Sequence, residues 1–206
     1  MKVLFWFCAL IFLVCSGLTP RARAEDILQD IHARLRLAPV IRGEFTQNRE
    51  LARIKKPLVA QGRFIVARDY GMIWETHAPF AQSFRLTESE MMQSNDQGVM
   101  MRLSAGQEPM VRVFSNILFA VFSGNVAALA RYFHYSGEAR EGRWHVRFVP
   151  KDAGLARMLQ SLLLSGARNV ETVEMQSAAG DTTRIDIRAQ FYEDALSADD
   201  RKRFDD

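Results

Sequence analysis

The stretch "GRFIVARDYGMIWETHAPF", residues 62–80, carries the clearest pattern in the chain. Leu58, Ala60, Gly62, Phe64 and Val66 fall on one side of a period-two segment, with Gln61 and Arg63 among the residues opposite. Alternation of this kind predicts a half-buried strand. Arg68 and Asp69 mark a tight bend, and "MIWET" beyond them reads as a second strand carrying Trp74. The segment is therefore a hairpin with an aromatic side, and it contains no catalytic motif.

The same period continues in both directions. "IRGEFTQNREL" puts Ile41, Gly43 and Phe45 on one side. "QSFRLT", "SEMMQS" and "VMMRLS" follow the hairpin, the last two joined across "NDQG", a strong turn signal. "YFHYSGEA", "GRWHVRFVP", "NVETVEMQS" and "TTRIDIRAQF" continue the series, separated by Gly, Pro, Asn or Asp. Ten strands in near-continuous succession predict one large antiparallel sheet, strongly curved or closed. Residues 26–37 are the main exception at the start, with Ile27, Leu28, Ile31 and Leu35 on one helical face and Asp26 near the N-cap. The last stretch, "LSADDRKRFDD", is highly charged and reads as a short helix or a frayed tail.

Residues 1–24 read as a secretory signal peptide. Lys2 precedes the apolar run "VLFWFCALIFLV", and "ARA" ends at Ala24 before an acidic start at Glu25. The run is too short to span a bilayer stably. Cys15 follows Val14 rather than a small residue, which argues against lipid modification. Both cysteines, Cys8 and Cys15, lie in this leader, so the exported chain from 25 to 206 has no thiol or disulfide chemistry. The chain has 27 basic and 24 acidic residues, and the leader holds Lys2, Arg21 and Arg23 but no acid. The remaining domain is balanced in charge, which removes the electrostatic case for nucleic-acid binding.

One segment is helical and apolar around most of its circumference. "PMVRVFSNILFAVFSGN", from 109, includes Met110, Val111, Val113, Phe114, Ile117, Leu118, Phe119, Val121 and Phe122. "VAALARYF" follows, also helical and apolar. A helix of this kind must be covered on nearly every side. It is either ordinary core or a lid over a cavity built for an apolar guest.

Enzyme signatures are missing from the sequence: no G-x-S-x-G elbow, P-loop, G-x-G-x-x-G or H-E-x-x-H occurs. His134 and His145 could face each other across a hairpin, although exposed histidine pairs on sheets are more often plain surface. No metal or cofactor is implied.

The hairpin with its flanks resembles the LolA family of periplasmic outer-membrane lipoprotein carriers. The residues that carry the resemblance are Phe45, Gln47, Gly62, Phe64, Arg68, Ile73, Trp74 and Pro79, over about 45 to 80. It continues more loosely through "SNDQG" and the apolar helix. Asp69 stands where the family has proline, and the charged tail from Leu196 replaces a Pro- and Gly-rich end. The resemblance implies a mainly β domain, a single curved, incompletely closed antiparallel sheet, with helices covering its concave apolar side.

It also implies a monomeric periplasmic carrier without catalytic activity. Such a carrier takes a lipoprotein or other lipid cargo from an inner-membrane donor complex to an outer-membrane acceptor. An envelope-stress sensor or interaction module on the same fold is the alternative. Phe64, Trp74, Met92, Met101, Phe114, Leu118, Phe119 and Phe122 are the expected cavity and lid residues. "EMMQ" and "VMMR" fall on paired strands, so Met92 and Met101 are expected on one side of the sheet, where flexible thioethers suit guests of variable shape. In the family the arginine matching Arg68 latches the lid of the empty cavity.

Overall fold

Eleven antiparallel strands form one sheet in this computed structural model, which describes residues 22–54 and 56–205, with side chains from 27 onward except at Pro109. The first wing is a meander of β1 (Val40–Glu50), β2 (Leu58–Ala67), β3 (Gly71–Ala78), β4 (Gln82–Leu86), β5 (Glu90–Asn95) and β6 (Gly98–Ser104). The second consists of β7 (Phe133–Arg140), β8 (Arg143–Pro150), β9 (Leu159–Gly166), β10 (Val170–Ser177) and β11 (Thr182–Glu193). The wings join where β1 pairs with β11, so β6 and β7 are opposite edges and the sheet stays open. Four helices accompany it: α1 (Ala22–Arg34), α2 (Pro109–Phe122), α3 (Ala153–Ala156) and α4 (Ala198–Asp205).

The mainly β, incompletely closed sheet read from the sequence is what the chain adopts, with one strand more than expected. β9, "LQSLLLSG", has no strict alternation by which to recognise it, and it becomes a strand because β8 and β10 pair with it on both sides. "VAALARYF" is shorter than a full helix: Val126–Arg131 forms a 3₁₀ turn, and Phe133 already pairs with Pro150 in β7. Leu28 and Ile31 of α1 and Leu35 just past its end are buried, while Ile27, on the same face read from the sequence, is half-buried. α1 begins at Ala22, so Asp26 lies inside the helix rather than at its N-cap. The expected leader lies, as far as residue 21, outside the described residues.

The order of strands explains α2. Residues 105–132 must carry the chain from edge β6 to edge β7, the full width of the sheet. The route runs over the inner face, which is why the helix has apolar residues on several sides. Pro109 at the first turn and Gly124, at φ 77° just past the end, delimit it.

The outer face has a second, smaller core that the sequence did not suggest. Val40, Ile65, Ala67 and Ile73 are buried there beneath Leu196 and Phe204 of the C-terminal segment. Ion pairs fasten α4 over them. Arg42 bridges Glu193 at 2.9 Å and Asp200 at 2.7 Å, and Arg203 reaches Glu75 at 2.6 Å and Asp200 at 3.2 Å. The hydrogen bond from Arg42 holds the Asp200 carboxyl down at about 2. Burial opposes ionisation of Glu75, but bonding to Arg63 and the charge of Arg203 outweigh it and lower its pKa. Arg85, itself buried, donates to the Phe204 carbonyl at 2.9 Å and to Glu90 at 2.7 Å. The charged tail is thus a docked helix.

Candidate functional site

The inner face is built on reciprocal fits between glycines and rings. Gly43 lies opposite Phe64, and Phe45 opposite Gly62. A Cβ on either glycine would stand 2.7 Å from the ring across from it. Because no Cβ is present, both rings lie flat over the neighbouring strand. Trp74, opposite Phe64 on β3, stacks on Phe45 at 3.8 Å and on Phe64 at 5.7 Å between ring centroids. Phe122 of α2 presses on this platform, 5.1 Å from Trp74 and 5.6 Å from Phe64. Phe64, Trp74 and Phe122, three of the residues read as cavity and lid, are brought together in a packed contact between helix and floor.

The open apolar space lies on the other flank of α2. A partly open cavity of about 280 Å³ lies between the helix and β9–β11. Phe114, Leu118 and Phe122 line it from above, and Leu155, Met158, Leu162, Val173, Met175 and Ile185 from below and the side. Its polar members are mainly at the rim: Arg49, Ser177, Asp181 and Thr183. Arg49 pairs with Asp181 at 3.4 Å, and Asp181 also accepts from the Ala52 backbone N–H at 3.1 Å, tying two turns together. The residues of β9 and β10 that line this space escaped the sequence reading. The alternation of Val173 and Met175 was the available signal, and Leu162 became legible only with β9.

α2 is held to the sheet by packing. Among the described residues its only side-chain hydrogen bond to another element runs from Asn116 to the Tyr132 hydroxyl at 3.0 Å. Met110, Val113, Phe114, Leu118 and Phe119 remain half-buried, while Val111, Ile117, Val121 and Phe122 are buried. Displacing α2 would break no side-chain hydrogen bond to the sheet among the described residues, but it would expose Ile117, Val121 and Phe122, so it needs an apolar guest to take their place.

A larger cleft of about 590 Å³ lies on the opposite flank and is mixed in character. Its walls are the β2–β3 turn with Arg68, the β4–β5 turn with Thr87 and Glu88, and Ser115, Asn116 and Phe119 of α2. Phe119 thus faces the mixed cleft and is absent from the walls of the apolar cavity. Arg68 is exposed, and its backbone N–H is tied to the Pro39 carbonyl at 2.9 Å. Its guanidinium makes no hydrogen bond or ion pair among the described residues, to Asp69 or to α2.

Two expected juxtapositions do not occur. Met92 pairs with Arg102 and Met101 with Gln93, so the methionines lie on opposite faces. A one-residue offset in register moves a side chain across the sheet. Met92 belongs to the outer face beside Arg85 and Arg102, and the inward neighbour is Met91, opposite Leu86. His134 lies opposite Val149 and His145 opposite Glu138, too far along the hairpin to share a ligand.

Residues 19–202 match the family model described as outer membrane lipoprotein carrier protein LolA-like. The chain belongs to that family. No curated protein matches the LolA-like chain. Among solved structures, a LolA superfamily protein from Nitrosomonas europaea is similar at 11% identity and TM-score 0.47, over 84% of this chain and 94% of that one. A putative outer membrane lipoprotein-sorting protein domain from Vibrio parahaemolyticus is similar at 10% identity and TM-score 0.48, over 89% and 98%. The Mycobacterium tuberculosis lipoprotein LppX is similar at 5% identity and TM-score 0.43, over 86% and 100%. Likenesses this remote bear on no individual residue of the LolA-like chain. No helix among its described residues is long and apolar enough to cross a membrane.

Proposed function

We propose that this protein is a periplasmic carrier that holds the acyl chains of a lipoprotein or another lipid beneath α2 and moves them towards the outer membrane. The observation that carries the reading is the apolar cavity between α2 and β9–β11, roofed by a helix without a hydrogen bond to its floor. Family membership supports the class of cargo. At about 280 Å³ the space lies just below the usual range of ligand pockets, about 300–1,000 Å³, so a long chain enters only as α2 lifts. Each methylene that leaves water contributes about 0.8 kcal/mol, so two or three chains bind tightly without any directed contact.

Release requires a competing empty state. In this reading Arg68 is the latch: it shares the wall of the mixed cleft with Phe119, and a further shift of α2 or a turn of the Arg68 side chain would bring its guanidinium to the α2 carbonyls. An inner-membrane donor and an outer-membrane acceptor complete the route. Native mass spectrometry of the protein purified from the periplasm tests the reading. A carrier emerges with lipid mass attached, and a uniformly empty protein that also refuses fatty acid in solution would sink the proposal.

A further inference from the structure

Strand register places three turns of the first wing side by side at one end of the sheet. Gln61 of β2 lies beside Ala78 at the end of β3, Thr76 beside Gln82, and Ser83 beside Ser94 near the β5–β6 turn. The β1–β2, β3–β4 and β5–β6 turns therefore form one continuous rim. Six of the eleven exposed large hydrophobic side chains among the described residues lie on it: Ile54, Leu58, Val59, Phe80, Val99 and Met100. Phe80 is 79% exposed at the tip of its turn. Single exposed apolar residues are normal, but a run along neighbouring turns is a patch that marks an interaction surface.

Two further features select the occupant. The β1–β2 loop reads "LARIKKPLV", residues 51–59, with three basic residues and no acid. Arg53 and Lys56 are exposed beside Ile54 and Leu58. Apolar and basic side chains interleaved on a loop match the interface of an anionic bilayer, where the chains enter the headgroup layer and the cations meet lipid phosphates. The second feature is proximity to the cavity mouth. Asp181, on its rim, binds the Ala52 backbone, and the Ala178 N–H donates to the Met158 carbonyl at 3.2 Å. Met158 lines the cavity and is itself 52% exposed, so the opening lies next to the turns, across the Arg49–Asp181 pair.

We infer that this rim docks the protein on an anionic lipid bilayer and holds the mouth of the apolar cavity against the membrane. The inference rests on the carrier reading for its purpose, but not for its physics. A cargo chain then has only the short distance from the headgroup layer to the cavity mouth to cross.

The test is flotation with vesicles of phosphatidylcholine containing phosphatidylglycerol, against vesicles of phosphatidylcholine alone, using the exported protein. The expected result is co-flotation that needs the anionic lipid and weakens with salt. Arg53→Gln with Lys56→Gln lowers vesicle affinity about 30-fold at low salt, from about 1 kcal/mol for each basic residue. Ile54→Asp with Phe80→Asp abolishes flotation, while Phe191→Asp, an exposed apolar site at the far end of β11, leaves it unchanged. Uptake of a fluorescent fatty acid is measured on the same samples and stays intact in the rim variants. Wild-type protein that takes up the fatty acid but ignores anionic vesicles overturns the docking and leaves the carrier reading standing. Flotation without fatty-acid uptake does the reverse. Ile54→Asp with Phe80→Asp floating like wild type, or a rim that binds only a protein partner, also overturns the inference.

Discussion

Gly62 and Phe45 show how much of the site rests on single residues. A Cβ at Gly62 would collide with the Glu75 carbonyl oxygen on the adjacent strand as well as with the Phe45 ring. A backbone oxygen cannot rotate away, so Gly62→Ala forces β2 and β3 apart. The expected cost is about 2 kcal/mol, read as a fall in Tm of roughly 4–8 °C. An unchanged Tm would mean that the platform under Trp74 is not close-packed. Arg68 sits at the opposite extreme, exposed and without a side-chain partner among the described residues. Arg68→Leu is expected to leave Tm and lipid uptake intact and to slow transfer of bound lipid to acceptor membranes. Arg68→Lys should fall between, because an ammonium keeps the charge but not the planar fork. Transfer by Arg68→Leu at the wild-type rate removes the latch from the proposal.

At the scale of elements, the two apolar flanks of α2 are not equivalent. Leu118 lines the apolar cavity, Phe119 faces the mixed cleft, and Asn116 is exposed beside Tyr132. Leu118→Asp should therefore abolish uptake of a fluorescent fatty acid, whereas Asn116→Asp should not. Equal uptake by wild type and a folded Leu118→Asp protein would reduce α2 to ordinary core. The C-terminal helix answers to pH instead. Asp200 has a carboxyl held at about 2, against an ordinary value of 3.8, chiefly by its bond to Arg42. A carboxylate with a lowered folded-state value stabilises the fold above the unfolded value and loses that contribution as pH falls through the folded one. α4 should thus stay docked above about pH 4 and loosen between 4 and 2. Hydrogen exchange of the α4 amides would show it. Asp200→Asn should remove the acid-dependent step and cost about 2 kcal/mol at neutral pH.

The whole molecule is two meanders joined at β1 and β11 and bridged across their free edges by a single apolar link. That arrangement lets the wings keep their hydrogen bonds while α2 moves, because no ladder runs through the lid. Removal of the expected leader should leave it undisturbed. A chain starting at Glu25 loses only the first residues of α1 and keeps Leu28, Ile31 and Leu35, which pack on the core. N-terminal sequencing of the exported protein is expected to give Glu25. A lipid-modified Cys15 would replace a freely diffusing carrier with an anchored one.

The sequence by itself determined the class of fold. Period two in "GRFIVAR" and its neighbours, turn residues between them, and one apolar segment too short to cross a bilayer are local properties, and local sterics and solvation read them directly. The aromatic floor was legible for the same reason, since Phe64 and Trp74 lie on one side of adjacent strands. What pairs with what was not legible. The offset that sends Met92 outward is a register, set by the whole β4–β6 ladder rather than by "EMMQ". β9 is a strand because two neighbours supply its hydrogen bonds. Leu155, Met158 and Met175 line one cavity only because the second wing curls under α2. The charged tail, polar by composition, is docked because Phe204 finds an apolar patch on the outer face and two ion pairs, Arg42–Asp200 and Arg203–Glu75, tie it to the sheet. Contacts between residues far apart in sequence depend on the curvature and register of the whole sheet, so only the tertiary structure decided where the apolar space opens and which side chains surround it.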